Sequence, residues 1–386
     1  MSTPEVSVII TTFQRPWHLR QVLESVALQA TVRPLEVIVA DDGSTDETAQ
    51  VVAQFATQAP FPVHWVTHPH AGFHPARCRN EGARAASAPL LLFLDGDCVL
   101  PPGHLEAHLA AWQPGRVTFA YCIRLTQQQT RHVSLEVVRG GQIARWVTPA
   151  QRRALAWQHL KAIAYRWMRH PTKPAVRGGN IFLARDDYQQ INGFDEAFQG
   201  WGGEDDDFGQ RLRRIGVRPL SITGRTCTWH LWHPKVDTFP RRWKDGVNVP
   251  YLMRSCRLTR CLRGWTYRTP RDLVVRVSGT PPQAAALSTF LQTHGWQLAP
   301  PGPERADLEL VFWPGGGRFH QPADCRVAVV LDERQTRHAA LGPAHVVLSP
   351  QGNLGREGQV RLRLDDAAGL WAWLGGGELT CMKAAA

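Results

Sequence analysis

Short apolar runs alternate with amphipathic segments along the first hundred residues. Strands are expected at Val6 to Thr11, Leu35 to Ala40, Val63 to Thr67 and Leu90 to Leu94. Between them the apolar period shifts from two to nearly four, predicting helices over Pro16 to Gln29, Thr45 to Ala56 and Pro75 to Ala86. The second opens on Ser44-Thr45-Asp46-Glu47, which reads as a Ser-x-x-Glu capping box. Strand and helix in strict alternation predict right-handed βαβ units around a parallel sheet, an α/β fold. A further helix is expected from Phe208 to Ile215. After Asp272 a second alternation begins: Leu273 to Val277, a helix near Pro282 to Thr293, then Leu308 to Phe312, Val327 to Leu331 and Val346 to Leu348. It predicts a small α/β domain ending in an Ala-rich tail. The chain thus divides into a domain over 1–235, a basic helical linker over 236–271 and a small domain over 272–386.

Charge sharpens this picture. The 44 Lys and Arg against 33 Asp and Glu leave +11, which suits an anionic partner such as a nucleotide-sugar, a lipid pyrophosphate, a membrane surface or nucleic acid. Arg254, Arg257, Arg260 and Arg263 recur every third residue, a spacing that predicts one basic helical face. That face suggests peripheral attachment to an anionic inner membrane, or equally a solvated helix. No run is long enough to span a bilayer, and no secretory signal precedes the first strand, so a cytoplasmic location is expected. Eight cysteines lie scattered without a Cys-x-x-Cys pair, predicting reduced thiols.

Candidate chemistry collects at the strand ends, where open α/β sheets bind ligands. The first strand runs into Thr11-Thr12-Phe13-Gln14-Arg15, not Gly-x-Gly-x-x-Gly, and no phosphate loop follows anywhere, so dinucleotide and simple nucleotide-hydrolase readings lose support. The second strand ends in Asp41-Asp42-Gly43-Ser44; such carboxylates can accept hydrogen bonds from a base imide and ribose hydroxyls, although the same residues also make ordinary turns. The fourth strand ends in Asp95-Gly96-Asp97, whose two carboxylates would repel each other unless a divalent cation, Mn²⁺ or Mg²⁺, neutralised them, although a lone Asp-x-Asp is also common in solvated turns. Downstream lies Arg177-Gly178-Gly179-Asn180, then Gly200-Trp201-Gly202-Gly203-Glu204-Asp205-Asp206-Asp207. A helix dipole favours acids in its first turn, but it accounts for only about two of the four. Last, His230 and His233 flank Trp232, and imidazole can complete a carboxylate metal site.

Together these motifs resemble the family 2 inverting glycosyltransferases of the GT-A fold, a Rossmann-like mixed sheet flanked by helices. The run Gly200 to Asp207 is similar to the active-site segment of β-1,4-galactosyltransferases and chondroitin polymerases. The resemblance implies that Thr11, Phe13 and Arg15 border the nucleotide, that Asp42 reads uracil, that Arg77 lies near the uridine diphosphate and Asp95 near the ribose. It implies Asp97 as a direct Mn²⁺ ligand, completed by His233 in preference to His230. Asp205 would be the catalytic base, with Glu204 on donor sugar hydroxyls and Gly179, Trp201, Gly202 and Asp206 bordering the sugars. The implied activity is transfer of a hexose or N-acetylhexosamine from a UDP-sugar to a saccharide or lipid-linked acceptor. Two other readings compete: a processive polysaccharide synthase, and an anion or nucleic-acid binder using the Arg254 to Arg263 face. No nucleic-acid module is recognisable, and the acid cluster would repel phosphates. The histidines of His70-Ala71-Gly72-Phe73-His74 have no assigned roles on this basis.

Overall fold

In the computed structural model the described residues are 3–374, apart from 30–32, 236, 255, 279–281, 294, 300–304, 314–318, 320–322, 331–340, 342–343, 350, 353–354, 356–358 and 364–365. The chain forms two compact units, residues 1–252 and 253–386. The expected Ala-rich tail lies outside the described residues.

The first unit begins with β1 (Val6–Thr12), α1 (Pro16–Ala27), β2 (Leu35–Asp41), α2 (Thr48–Ala56), β3 (Val63–Thr67), α3 (Pro75–Ala85) and β4 (Leu90–Asp95). All four strands pair in parallel, as the alternation predicts. β1, β2 and β4 are mostly apolar and buried along nearly their whole length because both faces of the sheet are covered, and the polar Ser7 and Glu36 within them bond each other at 2.6 Å. Val8, Ile10, Leu92 and Leu94 join Leu19, Val22 and Leu23 of α1 in the main core.

One local expectation fails. α2 begins at Thr48, and the Ser44 to Glu47 capping box does not form. Ser44 instead donates through both its N–H (2.8 Å) and its hydroxyl (2.5 Å) to Asp41, while Asp46 accepts the Thr48 N–H at 3.0 Å. Asp41 thus takes the Ser44 N–H that Glu47 would accept in the box, and Asp46 holds the start of the helix at Thr48.

The chain continues through β5 (Cys98–Val99), α4 (His104–Ala111), β6 (Arg116–Phe119), β7 (Cys122–Arg124), α5 (Gln127–Arg131), α6 (Leu135–Arg139), α7 (Pro149–Trp167), β8 (Asn180–Ala184), α8 (Arg185–Gln190), α9 (Glu204–Arg214), β9 (Arg218–Ser221), β10 (Thr228–His230) and α10 (Val249–Leu252). β8 runs antiparallel to β4, and the seven-stranded order is β3-β2-β1-β4-β8-β6-β9. A second, three-stranded sheet has the order β5-β10-β7. The chain leaves β1 toward β2 on one side and returns to β4 on the other, so the crevice between the ends of β1 and β4 is the topological switch point.

The second unit holds β11 (Val274–Ser278), α11 (Pro282–Thr293), β12 (Gln297–Leu298), β13 (Ala306–Trp313), β14 (Ala323–Val330), β15 (Val346–Ser349), β16 (Val360–Arg363) and α12 (Ala367–Trp373). Its strands form one all-parallel sheet, β12-β11-β13-β14-β15-β16. The expected basic helix over Arg254 to Arg263 is not there; the described residues of that stretch are turns and extended chain. Cys256, Leu258 and Leu262, which interleave the arginines, enter the core of this unit. Thr259 gives Asp324 the backbone N–H that a helix would spend on the preceding turn, and Arg257 is itself buried.

α9 is anchored from within. Asp207 and Arg211 are both fully buried, joined Nε to Oδ2 at 2.6 Å, and Arg211 Nη1 also donates to the carbonyls of Ile191 and Gly193 at 2.8 Å each. The fourth acid of the run is therefore a structural group. Asp207→Ala, which strands the guanidinium, is expected to cost about 3–5 kcal/mol of unfolding free energy in a urea titration; an unchanged midpoint would contradict this role.

Candidate active site

The site grows from the switch point. Thr11 and Asp95 are register partners across β1 and β4. The turn after Asp95 hugs β1 so closely that the Gly96 N–H meets the Thr11 carbonyl at 2.7 Å, and a Cβ on Gly96 would stand 2.8 Å from that oxygen. Only glycine fits there, which explains the spacer of Asp95-Gly96-Asp97. The tight turn carries Asp97 forward into the small sheet. Leu231 N–H bonds the Asp97 carbonyl at 2.8 Å, and the antiparallel pairing of β5 with β10 sets His230 against Cys98.

Three candidate metal ligands converge as a result. His233 Nε2 lies 3.1 Å from Asp97 Oδ2, and His230 Nε2 lies 3.6 Å from Oδ1. Their ligand atoms all fall within 4.8 Å of one another. Burial alone would raise the Asp97 pKa, but His230, His233 and Arg15 hold it well below the ordinary carboxylate range. One carboxylate and two imidazoles on a shared focus fit Mn²⁺, which accepts mixed nitrogen and oxygen ligands, better than Mg²⁺. Arg15, expected beside the nucleotide, donates to Asp97 Oδ2 at 3.1 Å. His18 of α1 bonds the Trp232 carbonyl at 3.1 Å and braces the loop between the two histidines.

The end of β2 forms a second cluster. Asp42 is buried, with its Oδ1 2.9 Å from His68 Nε2, and His68 Nδ1 in turn contacts Glu81 at 2.6 Å. His70 Nδ1 bonds the Asp42 carbonyl at 2.8 Å while its ring stacks on Phe13 at 4.0 Å. His74 closes a local turn on the Ala71 carbonyl at 2.9 Å. His70 thus belongs to the aromatic wall beside Asp42, and His74 to the loop that shapes it. Arg77 pairs with Glu81 on its own helix at 2.9 Å, so it joins this cluster through Glu81 and His68.

The third cluster turns on Arg79, a residue absent from the sequence expectations. Its buried guanidinium contacts Asp95 at 3.1 Å, Glu204 at 3.2 Å and Asp205 at 3.6 Å. Burial alone would favour its neutral form, but Asp95, Asp205 and Glu204 hold the proton firmly in place. Three carboxylates against one cation leave excess negative charge. Burial first, then the Glu204 charge, pushes Asp205 up to about 8 against the pull of Arg79 and the Gly178 N–H. Asp205 Oδ2 accepts that N–H at 2.8 Å; Oδ1 accepts no hydrogen bond, and the side chain stays 25% exposed. A Cβ on Gly178 would fall 2.3 Å from Asp205 Oδ1, and one on Gly179 2.5 Å from Asp95 Oδ2. The glycine pair is there to let the carboxylates approach.

The remaining sugar-site candidates are more peripheral to this cluster. Asp206 takes Lys173 at 3.4 Å, Gly202 gives its carbonyl to Asn248 at 2.8 Å, and Trp201 packs on Phe239 at 4.4 Å. The signal for Arg79 was present in the sequence: Ala76, Arg79, Asn80 and Ala83 share the inward face of α3, where a charge must find a partner.

Removing one ligand from a three-ligand set weakens binding steeply. Asp97→Ala, His230→Ala and His233→Ala are each expected to lower Mn²⁺ affinity by about tenfold or more in calorimetric titration. Binding unaffected by all three would rule out this metal centre.

Residues 7–169 match the family model described as Glycosyl transferase family 2, and residues 158–230 match that described as N-terminal domain of galactosyltransferase. Validoxylamine A glucosyltransferase of Streptomyces hygroscopicus subsp. jinggangensis is 31% identical over 274 residues, 66% of this chain and 60% of the relative. Chondroitin synthase of Escherichia coli is 28% identical over 266 residues, 65% of this chain and 38% of the relative. The chain therefore spans less than two thirds of each. Among solved structures, GalNAc-T7 with UDP, GalNAc and Mn²⁺ aligns at 16% identity and a TM-score of 0.44, covering 66% of this chain and 50% of that one. The two family matches run without a gap over residues 7–230, across the strands and loops that build the site, and that stretch carries the chain's likeness to the family 2 glycosyltransferases.

Proposed function

We propose that the first unit transfers a hexose or N-acetylhexosamine from a UDP-sugar, with inversion, to a saccharide or lipid-linked acceptor in the synthesis of a cell-surface polysaccharide or glycoconjugate. The observation that carries this reading is Asp205, a part-exposed carboxylate held by the Gly178 N–H, farther from Arg79 than its two neighbours and with a raised pKa. A single-displacement transfer needs one such base. Asp95 and Glu204, by contrast, accept hydrogen bonds from Arg79. The names of the relatives, a glucosyltransferase and a chondroitin synthase, support a sugar donor.

In this reading Asp42 accepts from the uracil imide N–H, with the Phe13 and His70 rings beside it. Asp95, oriented by Arg79 and Thr11, addresses the ribose. Asp97, His233 and His230 would hold Mn²⁺, or less readily Mg²⁺, which would supply positive charge to the leaving diphosphate. Glu204 hydrogen-bonds donor hydroxyls. Asp205 takes the proton from the acceptor hydroxyl as that hydroxyl oxygen attacks the anomeric carbon, and the carbon–oxygen bond to UDP breaks.

The test is a screen of UDP-Gal, UDP-GalNAc, UDP-Glc and UDP-GlcNAc, scoring UDP release with Mn²⁺ and with EDTA. One donor should turn over with Mn²⁺ and fall to background with EDTA; metal-independent behaviour with every donor would overturn the reading. Asp205→Asn is expected to lose roughly 10²–10⁴ in kcat while binding the donor as the parent does.

The base must be ionised to accept a proton, and its pKa is raised to about 8. Activity should therefore fall about tenfold per pH unit below that value and level off above it. A kcat/KM profile flat from pH 6 to 9 would remove Asp205 from the role.

A further inference from the structure

α7 is a helix turned inside out. At 100° per residue, Ala162, which is buried, and half-buried Leu155 and His159 form its packed face. The opposite arc carries Trp157, Leu160, Ile163, Trp167 and the following Met168, which are 60%, 56%, 50%, 85% and 56% exposed. Ala156 and Ala164 fill the gaps between them, also exposed. A surface helix of a globular protein ordinarily shows water its polar residues, and so large an apolar stripe marks something that covers it.

The charge around the stripe identifies the cover. From Val137 to Arg185 the chain carries ten Lys or Arg and no Asp or Glu, so this stretch of chain is strongly cationic. Arg152, Arg153, Lys161 and Arg166 of α7 make no ion pair among the described residues. The same helix borders a cleft of about 580 Å³ whose lining includes Arg116, His159, Arg166 and Arg225 and no carboxylate. Tryptophans on an apolar stripe, bordered by cations, are the composition of a helix lying in a bilayer interface. No described helix is long and apolar enough to cross a membrane, so an in-plane pose is the one this helix can adopt.

We propose that α7 docks the protein onto an anionic lipid bilayer. Trp157, Leu160, Ile163 and Trp167 enter the headgroup and acyl boundary, the flanking arginines and Lys161 meet lipid phosphates, and the arginine-lined cleft receives a headgroup. Arg254 to Arg263 supplies no comparable face, since that stretch is not helical and Arg257 is buried. Docking does not depend on the sugar-transfer reading.

The experiment is flotation of the full chain with vesicles of phosphatidylcholine alone or of phosphatidylcholine with phosphatidylglycerol. The parent protein should bind the anionic vesicles at least about tenfold better. The double variant Trp157→Ser, Trp167→Ser should lose on the order of tenfold of that binding while keeping UDP release in solution, which also shows that it is folded. Lys161→Glu should weaken binding to the anionic vesicles alone. Equal binding to both vesicle types, or undiminished binding by the double variant, would overturn the proposal. A dimer that the tryptophan substitutions dissociate, without vesicle binding, would assign the face to a second copy and overturn it too. Vesicle binding by a protein that turns over no donor would sink the sugar-transfer reading and leave docking standing.

Discussion

The active centre depends on the placement of one buried cation. Arg79 faces Asp95 from the end of β4 and Glu204 and Asp205 from the first turn of α9. Without it, one carboxylate from β4 and two from α9 would not share so close a corner. With it, the pairing is incomplete by design of the geometry: two acids hydrogen-bond the guanidinium, and the third stands farther off with a raised pKa. The same interaction thus assembles the corner and sets apart the group best suited to receive a proton.

The metal-ligand focus has a different origin, in backbone pairing. Asp97 leaves the end of β4 on a turn that only a glycine permits, and β10 arrives from more than a hundred residues away to pair with β5. Imidazoles on β10 and just beyond it then meet the two oxygens of one carboxylate. Arg15 shares that carboxylate, linking the loop after β1 to the same point. The clusters around Asp42, Asp97 and Arg79 are consequently not independent: each begins at the carboxyl end of a strand next to the switch point, and Asp95 and Asp97, one residue apart, connect two of them.

Much of the fold is legible in local pattern. β1 to β4 and the helices between them lie within one to three residues of their expected bounds because a doubly covered parallel strand must be continuously apolar. The start of α2 differs, because Asp41 takes the Ser44 donors that the box needs and Asp46 caps at Thr48 instead. The missing basic helix has a similar cause: three-residue spacing of arginines is a real periodicity, but Cys256, Leu258 and Leu262 between them have a sheet to pack against. Long-range burial overrides local period there.

The acid run divides in the same way. Its composition alone points to a site at Gly200 to Asp207, yet four adjacent acids cannot be told apart by type. In the structure Asp207 faces Arg211 in the core, Asp206 meets Lys173, and Glu204 and Asp205 share Arg79. Sequence by itself determines the residue types, the strand ends that carry them and the glycines that let them approach, because those are local properties of the backbone. Which acid faces which cation, that Arg79 and not Arg77 enters the acid cluster, and that α7 turns its apolar side outward depend on elements far apart in the chain. Only the packed tertiary structure decides those, since burial and charge pairing act through space.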